Sequence, residues 1–188
     1  MRLTVFFISV ILGFGLIPFA YAHQDDHHSH HDHHAHGEAH RHHGAHVHGM
    51  ATLDLVLDGE ELMMHLQSPL MNFIGFEHAP ETEQQQSAYQ EMIELLKRMD
   101  TLLEVEGADC VAESIDVEDP YSNSESDGHA DIDVSYFLRC LAPENITGLK
   151  INLFDIYHQL ETIEVQMVLP HAQQQLTLNP QRTTIRVN

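Results

Sequence analysis

Thirteen of the chain's eighteen histidines fall between residues 23 and 48. Neutral imidazole is the commonest protein ligand for zinc and also suits copper and nickel, so this composition points to capture of a transition-metal ion. The residues that would do it are His27, His28, His30, His31, His33, His34, His36, His40, His42 and His43. Composition by itself does not choose among zinc, nickel and copper for this arm. The stretch has no Leu, Ile, Phe or Tyr, and Val47 is its one β-branched residue. So little apolar side chain cannot offset the entropy of ordering, and the arm is expected to be disordered.

A selective site needs donors fixed on rigid elements. Three places in or beside the folded part offer them. His46 and His48 directly precede a strand-like run, and residues i and i+2 of an extended chain share a face, here the side of Thr52 and Asp54. Glu77 and His78 lie in a loop flanked by Gly75 and Pro80. His129, Asp131 and Asp133 alternate onto one face of a later strand. Together they make the imidazole and carboxylate mixture that zinc accepts. His65 also faces the Thr52 side, but it falls about four positions, roughly 13 Å, from the level of His48, too far to share an ion. His158 and His171 have no local partner in the sequence.

Catalytic patterns are missing. No HExxH, G-x-S-x-G, phosphate loop or C-x-x-C occurs, so the chain is not expected to be an enzyme. A metalloenzyme with His46, His48 and His78 as ligands and Glu77 as base is the least favoured reading.

Several elements must position these groups. Residues 50–57 alternate, with Leu53, Leu55 and Leu57 on one face; Leu62, Met64 and Leu66 repeat the pattern, and Asp58-Gly59 is a hairpin signal that would set Leu55 opposite Leu62. Thr82 with Gln85 makes a capping box. Tyr89, Met92, Ile93, Leu96, Met99 and Leu103 then form an amphipathic stripe to Gly107. Further strands are expected over 110–117, 129–140, 149–153 and 163–169, then around Leu176 and Ile185. These elements predict an α+β domain over 49–188: an antiparallel sheet with one long amphipathic helix packed on a face. Cys110 and Cys140 are the only cysteines and read as one disulfide. The parities of their strands conflict, because Val111, Ile115 and Val117 are apolar on one and the even positions on the other, so either a bulge intervenes or the strands are not neighbours.

Residues 1–22 read as a cleaved secretory signal, with Arg2, an apolar run and the small-x-small site Ala20-Tyr21-Ala22. No cysteine follows that run to carry a lipid, so no membrane anchor is expected after cleavage. Twenty-nine acidic against eight basic residues, a formal charge of -21, exclude nucleic acid as a partner and suit cations.

The segment Ser68-Pro69 to Asn72, followed by Gly75-Phe76-Glu77-His78, resembles the ZrgA family of periplasmic zinc-uptake proteins of Gram-negative bacteria. The likeness extends to the histidine-rich stretch, His46-Val47-His48-Gly49, the helix start at Thr82, Gln85 and Gln86, Cys110, the run from His129-Ala130-Asp131 to Cys140, Leu153-Phe154 and Val165-Gln166. Leu70, Met71 and Ile74 depart from the pattern, and none of these changes removes a candidate ligand. The resemblance implies zinc binding in the periplasm, expression under zinc limitation, and handover to a zinc ABC transporter. Composition alone leaves a second reading open, a nickel or copper store, because imidazole-rich arms bind copper more tightly than zinc.

Overall fold

The computed structural model describes residues 47–121 and 130–187. The expected signal, the histidine-rich stretch through His46, and His129 lie outside them. In chain order the elements are β1 (Met50–Asp58), β2 (Glu61–Pro69), α1 (Met71–Ile74), α2 (Glu83–Leu96), α3 (Met99–Leu102), β3 (Leu103–Glu106) and β4 (Asp109–Glu118). β5 (Asp131–Leu141), β6 (Gly148–Ile151), α4 (Leu153–Ile156), β7 (Thr162–Leu169), β8 (Ala172–Leu178) and β9 (Thr184–Arg186) follow.

These strands form a six-stranded sheet, ordered β4-β5-β2-β1-β7-β8, and a three-stranded sheet, β3-β6-β9. Alternation decides which side of the large sheet is dry. Leu53, Leu55, Leu62, Met64, Ile132, Val134, Ile163 and Val165 are buried on one face, while Thr52, Asp54, Glu164 and Gln166 are exposed on the other. The small sheet covers the dry face. Leu53, Met64, Leu66 and Tyr136 meet Leu103, Ile151 and Leu153 around a cavity of about 20 Å³, room for about one water.

The α+β class with a long helix does not hold. The described residues are 51% strand and 21% helical, and only one helix reaches seven residues. The expected capping box is present, with Gln85 N–H donating to Thr82 Oγ1 at 3.2 Å. The helix nevertheless stops at Leu96 after 14 residues, burying Tyr89, Met92 and Leu96. Arg98, at φ -103 and ψ 80, has left helical space. Leu103 then pairs with Ile151 as a strand, so residues that continue the helical stripe in sequence are recruited by the second sheet. Nor is the large sheet purely antiparallel, since β1 and β7 run parallel, Met50 beside Thr162.

The hairpin forms with its register shifted by two residues. Leu55 faces Met64 and Leu57 faces Leu62, and Gly59-Glu60 makes the turn between Asp58 and Glu61. A two-residue shift leaves every side chain on its original face, so the buried row is unchanged. The cysteine parity conflict resolves as a bulge. Cys110 is opposite Cys140 and disulfide-bonded to it. One extra residue on β4 between Ala112 and Ser114 then brings Ile115 opposite Tyr136 and Val117 opposite Val134. No helix among the described residues is long and apolar enough to cross a membrane.

The strand order gathers one set of chain segments at a single end of the large sheet. There β1, β5 and β7 begin, and β2 and β4 finish. The residues just before Met50, just after Pro69, just after Glu118 and just before Thr162 therefore meet.

Candidate metal centre

His48 is not in the strand. Met50 N–H donates to the Val47 carbonyl at 3.0 Å, closing a four-residue turn with Gly49 in its third position at φ 83. That left-handed conformation is what a type II turn requires there, and it is cheap only for glycine. The expected sharing of a face with Thr52 and Asp54 is thus broken, because the turn redirects His48 away from the strand's alternation.

Asn72 fixes this turn. Its side chain is buried and belongs to α1, immediately after β2. Its Oδ1 accepts from Gly49 N–H at 2.7 Å, and its Nδ2 donates to the Met50 carbonyl at 2.8 Å and to Ser68 Oγ at 2.9 Å. On the other side, Gly49's carbonyl accepts from Glu161 N–H at 2.7 Å and Thr162 N–H at 2.9 Å. The residue following His48 is therefore held through three hydrogen bonds by two separate parts of the chain.

α1 ends at Gly75, at φ 80, and the chain turns back through Phe76 to Glu77 and His78. Glu77 Oε1 lies 3.1 Å from His48 Nε2. The carboxylate side chain is 7% exposed and the imidazole 55%, so the pair has one anchored donor and one facing solvent. Two atoms bound to one tetrahedral zinc at about 2.0–2.1 Å sit about 3.3 Å apart. The observed spacing fits a shared ion with almost no movement. It equally fits a carboxylate orienting an imidazole whose other nitrogen binds the ion.

His78 is the next residue but is turned elsewhere. Its Nδ1 lies 2.9 Å from the Ala79 carbonyl, an arrangement in which Nδ1–H donates. Its Nε2 is 3.5 Å from the Gln85 side-chain amide, and the ring stacks on Phe76 with centroids 5.1 Å apart. Tyr121 spans both residues, its hydroxyl 2.9 Å from the carbonyls of Glu77 and His78. Burial first, then the Asp119 and Glu77 carboxylates, push the Tyr121 hydroxyl up to about 12.

His48 and Glu77, separate candidates in the sequence, are thus brought together. His46 and His129 lie outside the described residues, though each adjoins a segment at this end of the sheet. Asp131 opens β5 opposite Pro69, and Leu70 N–H donates to the neighbouring Ala130 carbonyl at 2.9 Å. Among the described residues no group of three or more His, Cys, Asp or Glu is arranged to hold an ion, so the four-ligand set is not assembled by them. His65 pairs with Asp133 at 3.2 Å and sits opposite Asp54, four positions, about 13 Å, up β1 from Met50. His158 and His171 are exposed, and His171 is at the far end of the sheet in the β7–β8 turn. Sequence reasoning missed Glu161. Its side chain packs against Gly49, 3.2 Å from where a β-carbon on that glycine would lie. More than a hundred residues separate the two, and no local pattern links them.

A profile of the family described as ZrgA family zinc uptake protein matches residues 45–187, from just before the His48 turn to the last strand. The chain belongs to the ZrgA family. Its members are zinc uptake proteins by that description, and the match spans all the described residues, including His48, Glu77, His78 and the disulfide. No curated protein matches the chain significantly.

Proposed function

We propose that this ZrgA-family chain is a periplasmic protein that captures Zn²⁺ and passes it to a zinc ABC uptake system, acting as a carrier and not as an enzyme. The observation that carries the reading is the contact between His48 and Glu77, donors from the segments before β1 and after α1, held 3.1 Å apart. To complete the coordination shell we assign His46, His78, His129 and Asp131, which lie in or next to the chain segments that reach this end of the sheet. The arrangement of His78, whose Nδ1–H donates to a backbone carbonyl, is the one that imidazole ligands of metals adopt.

The histidine arm would serve as a multi-site collector that raises the local zinc concentration beside this better-defined site. Because zinc must displace protons from imidazole, capture weakens as pH falls through the ordinary histidine range, about 6.5. Zinc titration of protein lacking residues 23–45 tests the two-tier arrangement. One or two tight ions should remain, and Glu77→Gln should weaken one of them at least about tenfold. Retention of full affinity in both Glu77→Gln and His48→Ala would defeat the site assignment. Delivery is tested by association with the transporter's binding protein, zinc-loaded against zinc-free; no difference would refute it.

A further inference from the structure

Two successive carbonyls, those of Glu77 and His78, accept from one hydroxyl, that of Tyr121, each at 2.9 Å. A hydroxyl has a single proton, so the bond is shared between them, and sharing fixes the angle between two adjoining peptide planes. The Glu77 side chain leaves this backbone toward His48, and the His78 ring leaves it toward Gln85. The phenol therefore grips the joint that sets the direction of both donors.

Tyr121 is itself held from a rigid element. Its backbone N–H donates to Asp119 Oδ1 at 3.0 Å, and the same oxygen accepts from the hydroxyl of Tyr89 at 2.9 Å. The rings of Tyr89 and Tyr121 are 5.6 Å apart. Tyr89 is a buried residue of α2, so the bracket runs from the helix through Asp119 and Tyr121 to the loop of Glu77 and His78.

We infer that Tyr121 is a positioning residue for ion binding at the His48–Glu77 pair. It touches no ion; it holds the loop so that the Glu77 carboxylate and the His78 imidazole are set before zinc arrives. The inference rests on the proposed zinc site. Outer-shell partners of metal ligands commonly matter by tenfold or more in affinity.

Tyr121→Phe removes only the hydroxyl, keeps the ring beside Tyr89, and leaves the two carbonyls free to bond water. The test is zinc titration of the full chain against a competing chromophoric chelator, for the parent, Tyr121→Phe, His48→Ala and the double variant. Tyr121→Phe should weaken by about tenfold the ion that His48→Ala loses. In the His48→Ala background it should change nothing. The zinc-free melting temperature of Tyr121→Phe should stay within about 2 °C of the parent. Parental zinc binding by Tyr121→Phe, with the ion lost in His48→Ala, overturns the positioning role and leaves the site standing. Equal losses in both backgrounds, or a large fall in melting temperature, also overturn it, since either marks a role in folding alone. Unchanged binding in all variants removes the zinc site itself and the inference with it.

Discussion

Replacing Asn72 with alanine should cost far more than one exposed polar side chain would suggest. The residue is 1% exposed and makes three hydrogen bonds, to Gly49 N–H, the Met50 carbonyl and Ser68 Oγ, at 2.7, 2.8 and 2.9 Å. Alanine leaves the Gly49 amide buried without this acceptor, at about 1–3 kcal/mol, and removes two further bonds worth about 1 kcal/mol each. The expected loss is about 3–5 kcal/mol, against a total of about 5–15 kcal/mol for a domain. Urea unfolding followed by circular dichroism, with the disulfide intact, measures it as a lower midpoint at unchanged slope. Asn72→Asp is the informative companion. It keeps an acceptor for Gly49 but buries a charge, so its folded-state pKa should rise above the unfolded value near 3.9. It should therefore lie closest to the parent below about pH 4 and lose stability as pH rises. A loss below about 1 kcal/mol for Asn72→Ala would refute the argument, because water would then be replacing all three bonds.

Two other perturbations test the scaffold. Cys110 and Cys140 are 30 residues apart in sequence, and closing a loop of that length in the unfolded chain is worth about 3–4 kcal/mol. The double serine variant should lose that much in urea unfolding, and a loss under about 1 kcal/mol would mean that the unfolded chain is already compact there. The hydroxyls of Tyr121 and Tyr157 are each pushed up to about 12, chiefly by burial, and burial also raises those of Tyr89 and Tyr136. Folded values above the unfolded value near 10 favour the neutral fold below that pH, and the contribution drains away between about pH 10 and 12. Phenolate absorbance of the folded protein should show none of these four ionising near pH 10; a midpoint there for Tyr157 would contradict its burial.

Much of this fold could be read because burial on one face writes itself into sequence. The rows Leu53-Leu55-Leu57, Leu62-Met64-Leu66 and Ile132-Val134-Tyr136-Leu138 alternate as strands must, and each lies in the core. Alternation with a period of two cannot separate registers that differ by two, which is why the Asp58-Gly59 signal identified the hairpin but misplaced its partners. The capping box fixed where α2 starts because that chemistry is local. Its end was not legible, since Leu103 fits the helical stripe and a strand equally well, and Ile151 on β6 decides between them.

The same division runs through the metal centre. Composition alone marks an acidic, imidazole-rich chain suited to divalent ions, because ligand chemistry belongs to residue types whatever their arrangement. Spacing singled out His48, Glu77 and His78 as donors near folded elements. Only the tertiary structure turned His48 out of its strand, brought Glu77 to it, and set Asn72, Tyr121 and Glu161 around the pair. Those contacts join segments 23 to more than 100 residues apart, where strand order and one left-handed glycine decide which side chains meet, and neither leaves a periodic trace in the sequence.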